Sequence, residues 1–343
     1  MDSFNPDNNF LQSEGIFGLP FTYDDAKLIL IPVPWEVTCS YGDGTCKAPD
    51  AIYKASFQID LFDHNLGEEW KKGIYLDLAP EYIYDDNAVQ RRFARQIIHH
   101  LETESKPLND RQTKQLDEVN KVCDGMNAYV AEKSTQIHTD GKISGLVGGD
   151  HSAALEHIKA VAKREKEIAV IQIDAHADLR ESYMGFTHSH ASLMNNLAKD
   201  ATGITKVIQL GLRDICKAEA DLIQSSPLFS AFFMNDIRQW QYEGKKLKDI
   251  YSDIIKDLPD KVYISLDIDG LDPSLCPNTG TPVPGGFDFY EVVFLFAMLH
   301  ESGKKIAGFD LCEVGISDNS EWDANVAARL LYQLCLYTLR SNG

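Results

Sequence analysis

The sequence predicts an α/β fold in which helices cover both faces of a mainly parallel central sheet. From residue 142 onward, short apolar runs alternate with stretches of helical periodicity. The apolar runs are hydrophobic at nearly every position rather than at every second one, which is typical of strands buried on both faces of a parallel sheet. Regular alternation of such strands with helices is the pattern of an α/β protein.

The first part of the chain contains one predicted strand and two predicted helices. The strand is AKLILIPVP at 26–34, which prolines end, and the helices cover 87–102 and most of 109–134. Between them, 35–49 is a long loop, and loops of that length inside compact domains often carry function.

The second part contains five predicted strands and five predicted helices. The strands cover 142–149, 168–176, 206–213, 262–269 and 306–314. The helices cover 152–167, 217–225, 244–257, 289–302 and 321–340. No internal repeat or clear linker is present, so we predict a single domain over 1–343, with an irregular N-terminal arm at about 1–24 that is rich in Asn, Asp, Gly and Pro.

Composition excludes several classes of function. The 343 residues include 44% hydrophobic side chains, enough for a large core, and a net charge of -19 argues against nucleic-acid or membrane-surface binding. The seven cysteines are scattered, which predicts reduced thiols in a cytoplasmic protein. The polar, acidic N-terminal sequence is not a signal peptide, and the apolar runs are too short to cross a bilayer.

Polar residues cluster directly after three predicted strands. GGDHS covers 148–152, DAHAD covers 174–178 and DIDGLDP covers 267–273, while Glu313 ends the strand at 306–314. Ligands of open parallel sheets bind outside the carboxyl ends of the strands. We therefore expect these clusters to form one functional site.

The spacing inside the clusters allows the side chains to converge. Extended backbone points alternate side chains to the same side, so Asp174, His176 and Asp178 face one way, as do Asp267 and Asp269. Apolar strands do not bury this many carboxylates unless cations compensate them.

Adding His151 gives a set of six candidate metal ligands. They are His151, Asp174, His176, Asp178, Asp267 and Asp269. The set is too large for one tetrahedral zinc ion and suits two divalent ions that share carboxylates, with manganese the first choice and nickel an alternative. A strand-terminal aspartate alone more often caps a helix, so the prediction depends on the joint occurrence of all three clusters.

These motifs resemble those of the ureohydrolase family, which includes arginase and agmatinase. GGDHS, DAHAD and SLDIDGLDP match that family's three metal motifs in order, and TGTP at 279–282 and FDLCEV at 309–314 add to the likeness, which extends over about 26–340. The resemblance implies a three-layer α/β/α sandwich of the arginase/deacetylase kind, two metal ions per chain, and a homotrimer or homohexamer.

The resemblance also assigns ligands to each ion. One ion would be held by His151, Asp174, Asp178 and Asp267. The other would be held by Asp174, His176, Asp267 and Asp269, so that Asp174 and Asp267 bridge. Such ions lower the pKa of bound water, and attack on a guanidinium carbon then releases urea and an amine.

Catalytic and substrate-binding roles follow from the same resemblance. Asp178 would also handle the proton of the nucleophile, and His190 would pass a proton to the leaving amine. Glu313 would pair with the substrate guanidinium, and Thr281 would contribute to substrate binding. We prefer His190 to His188 because His-Ala-Ser at 190–192 matches the family's pattern.

Departures from the arginase pattern favour an agmatinase-like substrate. LRESY at 179–183 stands where arginases have an Asn-containing segment that holds the amino acid head group. Separately, the family often has a proline shortly after the Glu-Val pair and this chain has Gly315 there, which bears on the local geometry at the guanidinium end and not on the choice of substrate. Agmatine, hydrolysed to putrescine and urea, is the leading candidate. Free guanidine, guanidinobutyrate, guanidinopropionate, arginine and formiminoglutamate are the alternatives.

Two further points stay open on the sequence alone. Arg180 is expected to pair with Glu181 or another neighbour, although it could instead meet a substrate carboxylate. The loop at 35–49 corresponds to one that faces the site in relatives. Metal-dependent deacetylases share the fold but use one metal, and a non-catalytic regulatory homologue would usually lack at least one of the six ligands.

Overall fold

A single parallel sheet forms the centre of the molecule. The computed structural model describes residues 4–8, 15–104 and 106–343. Within them, the strands are β1 (Leu28–Val33), β2 (Ile74–Leu76), β3 (Ile143–Gly148), β4 (Ile168–Ile173), β5 (Ile204–Leu212), β6 (Phe229–Phe233), β7 (Lys261–Asp267) and β8 (Lys305–Cys312). Their order is β2-β1-β3-β8-β7-β4-β5-β6, and neighbouring strands pair in parallel throughout.

Helices flank the sheet in two groups. The α-helices of the described residues are α1 (Ala48–Ser56), α2 (Glu81–Thr103), α3 (Asp110–Thr139), α4 (Leu155–Glu165), α5 (Leu193–Lys199), α6 (Lys217–Ser225), α7 (Met234–Tyr242), α8 (Leu247–Ile255), α9 (Phe289–Glu301) and α10 (Trp322–Ser341). Helix α3 packs with α2 and α4 against β1 and β3, whereas α10 packs with α1 and α9 against β8. The predicted α/β/α fold with a parallel sheet is confirmed.

Burial explains why the central strands could be recognised from the sequence. Every residue of β1, β3 and β4 is buried, so an apolar side chain is favoured at each position. Helices α3 and α9 begin at clear sequence signals. Their first residues follow Asn109 and Asp288, and each of these two residues forms a capping box with the residue three positions later.

The strand ends are level with one another where the site forms. Ile173 of β4 lies opposite Leu266 of β7, and Leu266 lies opposite Leu311 of β8, which in turn lies opposite Val147 of β3. Residues that follow these four adjacent strands therefore meet at one edge of the sheet. All three predicted clusters and Glu313 are among them.

Several elements were not predicted. The strands β2 and β6 escaped because β2 has three residues and β6 is largely half-buried, so neither shows the long apolar run of a central strand. The short helices α1, α5 and α7 were also missed. No helix in the described ranges is both long and apolar enough for a membrane span.

One hydrophobic cluster extends from Ile16 to Leu339. The division into a single domain with an N-terminal arm stays a prediction, and residues 1–3 and 9–14 of that arm lie outside the described residues.

Candidate active site

The six predicted metal ligands lie together at the carboxyl edge of the sheet. His151 follows β3, the DAHAD residues follow β4, and Asp267 and Asp269 end and follow β7. Five of the six are buried, and His176 is half-buried. The structure thus brings together every residue that the sequence proposed as a ligand.

The first group of possible ligands surrounds the imidazole of His151. Its Nδ1 atom lies 3.2 Å from Asp174 Oδ2, 2.9 Å from Asp178 Oδ2 and 3.5 Å from Asp267 Oδ2. His151, Asp174 and Asp267 have ligand atoms close enough to hold one ion.

The second group lies directly beside the first. His176 Nδ1 is 3.0 Å from Asp269 Oδ2 and 3.6 Å from Asp174 Oδ1. Asp174, His176 and Asp269 are again close enough to hold one ion. Because Asp174 belongs to both groups, its two oxygens can serve two neighbouring ions.

Unpartnered atoms in the cluster indicate that cations complete it. His151 Nδ1 and Asp178 Oδ2 are buried and make no hydrogen bond, although they face each other. Burial, with the neighbouring Asp174 carboxylate, raises the pKa of Asp178 to about 7, and burial with Asp269 and Asp174 raises the pKa of Asp267 well above its usual range. Buried carboxylates of this kind are stabilised by cations, so the residues fit two divalent metal ions.

Backbone N–H groups hold the carboxylates in place. The N–H of His176 donates to Asp174 Oδ1 at 2.6 Å, and the N–H of Ala175 donates to Asp269 Oδ1 at 3.0 Å. The N–H of Asp269 donates to Asp267 Oδ1 at 2.8 Å. These bonds fix the orientation of three carboxylates.

Sequence reasoning missed the polar residues that support the ligands from inside the sheet. Gln172 Nε2 donates to Asp174 Oδ2 at 2.7 Å, and Gln209 donates to Gln172 Oε1 at 2.7 Å. His151 Nε2 lies 2.9 Å from Ser265 Oγ. Partners of this kind fix the ring orientation of metal ligands. The available signal was a polar residue inside an otherwise apolar strand.

Glu313 directly follows β8 and reaches the same edge. Its Oε1 accepts a hydrogen bond from the N–H of His151 at 2.9 Å, and its own N–H donates to Gly149 O at 2.7 Å. The residue has a positive φ of 61°, which is strained for a side chain other than glycine. Burial, followed by the Asp150 carboxylate, raises the pKa of Glu313 well above its usual range. A cation beside it would favour the ionised form.

The two candidate histidines have different surroundings. His190 lines the cavity, and burial followed by the charges of His176 and Arg91 lowers its pKa to about 4. His188 instead contacts α3, with Nε2 2.9 Å from Asp124 Oδ1 and Nδ1 3.1 Å from Asn127 Nδ2.

Thr281 and Arg180 both reach the cavity. The hydroxyl of Thr281 donates to Asp269 Oδ2 at 3.3 Å. The guanidinium of Arg180 lies over the ring of Tyr183, 5.0 Å from its centroid. The expected neighbour contact of Arg180 is therefore a cation–π contact with Tyr183 rather than an ion pair with Glu181.

A cavity of about 270 Å³ connects these residues to solvent. Seven predicted site residues line it, namely His151, His176, Asp178, His190, Asp267, Thr281 and Glu313. Ser40 and Tyr41 from the 35–49 loop also line it, and Tyr41 is 75% exposed at its mouth. The loop therefore forms one wall of the cavity.

Fold and site together define an α/β enzyme whose strand ends carry two adjoining clusters suited to divalent metals. The model of the arginase family matches residues 26–337, so the chain belongs to the arginase, or ureohydrolase, family. It is accordingly a metal-dependent hydrolase acting on C–N bonds of linear amidines.

Individual relatives support the same placement. The N(1)-aminopropylagmatine ureohydrolase of Synechocystis sp. is 31% identical over 333 residues, covering 96% of this chain and 93% of that protein. The agmatinase of Pyrococcus horikoshii is 32% identical, covering 90% of each chain. The structure of the agmatine ureohydrolase of Thermoplasma volcanium matches with a TM-score of 0.71 at 24% identity. The match covers 95% of this chain and 94% of that one, and it shows the fold. The predicted resemblance to agmatinase-like ureohydrolases is confirmed.

Proposed function

We propose that this protein hydrolyses agmatine to putrescine and urea. The observation that carries the proposal is the buried carboxylate of Glu313, which lines the same cavity as the two adjoining His/Asp clusters. A buried carboxylate beside a metal cluster suits a substrate that brings its own positive charge to the site.

Two divalent ions would be held by the six ligands, with manganese the first choice and nickel the alternative. One ion would use His151, Asp174, Asp178 and Asp267, and the other would use Asp174, His176, Asp267 and Asp269. When bound, the ions would lower the pKa of a water molecule and so provide a nucleophile near neutral pH.

Glu313 would orient the substrate. A guanidinium group is a planar donor fork, and a carboxylate offers two acceptor oxygens that match it. One oxygen already accepts from the N–H of His151, which fixes the plane of the carboxylate relative to the ligand cluster. Thr281, which donates to Asp269 and lines the same cavity, would contact the same end of the substrate.

Two residues would move protons during the reaction. Asp178 would accept a proton from the attacking water, since its Oδ2 lies in the cluster without a hydrogen-bond partner. His190 would pass a proton to the departing amine, since it is on the cavity wall and makes no metal contact in this assignment.

A second candidate substrate is N(1)-aminopropylagmatine, which the printed name of the Synechocystis relative specifies. Its longer tail would need an open cavity mouth, and the exposed Tyr41 and half-buried Tyr183 provide an aromatic, open rim. Aromatic faces favour contact with a distal ammonium group.

A urea-release assay tests the proposal and its alternatives. Agmatine, N(1)-aminopropylagmatine, L-arginine, guanidine, guanidinobutyrate and formiminoglutamate would each be measured with Mn²⁺ and with Ni²⁺. We expect agmatine or its aminopropyl derivative to give the highest kcat/KM. If L-arginine ranked first, the agmatinase-like assignment would be wrong, and if no guanidino compound released urea, a non-catalytic homologue would be favoured.

We also propose a cytoplasmic homotrimer or homohexamer. All seven cysteines are free thiols, as is typical of a reducing compartment. Light scattering coupled to size exclusion would measure the subunit number, and a monomer at micromolar concentration would contradict the proposal.

A further inference from the structure

We propose that Arg91 is a positioning residue for the reaction, because it holds the backbone at 37–39 in the 35–49 loop so that Thr38 can fix His190 at the cavity wall. The inference rests on the proton-transfer role proposed for His190. It concerns residues that have no place in the metal cluster and that lie far from one another in the sequence.

Arg91 reaches the loop from helix α2. It is buried, and its Nη1 donates to the carbonyls of Val37, at 3.3 Å, and of Cys39. Its Nη2 donates to Asp43 Oδ1 at 2.7 Å. The guanidinium therefore bonds the backbone on both sides of Thr38 and is itself held by Asp43.

Thr38 connects this contact to the active site. Its side chain is fully buried, and its Oγ1 accepts a hydrogen bond from the backbone N–H of His190 at 3.2 Å. Ser40 and Tyr41, which lie two and three positions after Thr38, line the cavity. A displacement of the backbone at Thr38 would thus move both the support of His190 and the cavity wall.

The ends of the loop are held independently of Arg91. The N–H of Glu36 donates to Asn87 Oδ1 at 2.8 Å, and Glu36 Oε2 accepts from the N–H of Gly44 at 2.8 Å and of Cys46 at 3.0 Å. Loss of the Arg91 contacts would therefore release mainly the segment around Thr38. This restricts the expected effect to the part of the loop that touches His190.

A substitution that keeps the charge tests the geometry. Arg91→Lys retains a cation for Asp43, but a single ammonium cannot reproduce the planar fork that bridges two carbonyls and a carboxylate. We expect kcat for agmatine to fall about tenfold or more, a part of the 10²–10⁴ that a proton-transfer group typically supplies. Metal content should stay unchanged. Arg92→Lys, at an exposed position on the same helix, is the matched control and should leave kcat within about twofold.

A double-mutant cycle asks whether the effect passes through His190. In a His190→Ala background, Arg91→Lys should lower kcat little further, because the residue it positions is already absent. Equal losses in both backgrounds would show that Arg91 does not act through His190. Thr38→Val removes the hydroxyl while keeping the shape, and it should also lower kcat. It serves as the test variant if Arg91→Lys does not fold.

Amide NMR gives a readout that does not depend on activity. In protein labelled with 15N only at histidine, the backbone amide resonance of His190 is assigned by its absence in His190→Ala, and it should shift in Arg91→Lys and in Thr38→Val and stay in place in Arg92→Lys. An unshifted resonance in both variants would overturn the inference even if the wild type is an active ureohydrolase. An inactive wild type with shifted resonances would instead refute the proposed function and leave the structural link standing.

Discussion

The carboxylate of Glu313 accepts a hydrogen bond from the backbone N–H of His151 at 2.9 Å. This bond joins the residue proposed to bind the guanidinium to the backbone of a proposed metal ligand. Both residues follow neighbouring strands, β8 and β3, whose register is fixed by parallel pairing. The position of the Glu313 carboxylate relative to the ligand cluster is thus set by the sheet rather than by a flexible loop.

The first prediction follows from that bond. Glu313→Gln keeps an oxygen that can accept from His151 but removes the charge that a guanidinium needs. We expect kcat/KM to fall by roughly 10- to 100-fold for every guanidino substrate, corresponding to about 1.5–3 kcal/mol for a hydrogen bond to a charged group. Urea release measures the loss, and elemental analysis should find both metals retained.

The control is Glu301→Gln, at an exposed position at the end of α9. It should leave kcat/KM unchanged. A Glu313→Gln variant with wild-type kcat/KM for agmatine would remove Glu313 from the substrate site.

The second prediction separates the two histidines of the loop before α5. His190→Ala should lower kcat by about 10²–10⁴-fold, because it removes the proposed proton donor to the amine. His188→Ala should have a small effect, since that side chain contacts Asp124 and Asn127 of α3. Metal content should be normal in both variants. The choice of His190 is wrong if the large loss appears in His188→Ala instead.

The positions of the six ligands could be foreseen because polar residues directly follow apolar runs, and parallel strands that end level bring those residues together, as the pairing of Ile173 with Leu266 shows. The alternation expected along extended backbone does not hold beyond the strand ends, because Asp178 has a positive φ of 53° and Asp269 lies in a short 3-10 helix over Ile268–Gly270. The ligands converge because the strand register brings these turns to one edge of the sheet, not because their side chains alternate.

The contacts of the 35–49 loop could not be foreseen because they have no periodicity. Arg91 and Val37 are 54 positions apart, and nothing in either segment identifies the other as its partner. Gln172 and Ser265 were missed for a different reason, since an isolated polar residue inside a buried strand leaves the apolar pattern intact. The positive φ of Asp178 and of Glu313 is likewise a result of tertiary packing that overrides local preference.

The third prediction concerns the metals. Asp267→Asn should lose bound metal and activity together, because Asp267 Oδ2 faces His151 Nδ1 and an amide is a weaker ligand for a hard divalent ion. Chelation of the wild type should abolish urea release, and added Mn²⁺ should restore it. Asp272→Asn, in the turn after the cluster, is the control and should keep its metals. An active Asp267→Asn variant with full metal content would contradict the binuclear assignment.

The last prediction concerns a hydrogen-bond chain that links helices α3 and α4 to strands β3 and β7. His138 Nε2 lies 2.7 Å from Ser144 Oγ, His157 Nε2 lies 2.8 Å from the same oxygen, and His157 Nδ1 lies 2.7 Å from the hydroxyl of Tyr263. Burial, with the charge of Arg164, lowers the pKa of His138 to about 4, and burial lowers the pKa of His157 well below its usual range. The folded protein therefore holds both imidazoles neutral.

Acid should destabilise the fold through these imidazoles. Between pH 6.5 and about 4, an unfolded chain binds a proton at His138 that the folded chain does not, so the free energy of unfolding falls as the pH drops through this window. His138→Gln can still bond Ser144 but cannot take up the proton. Its free energy of unfolding should therefore fall by about 1–2 kcal/mol less than that of the wild type between pH 7.5 and 5.0. Urea unfolding of metal-free protein measures the difference without a contribution from metal release. His64→Gln, at an exposed position, should follow the wild type, and an unchanged pH dependence in His138→Gln would show that this histidine is not held neutral by the fold.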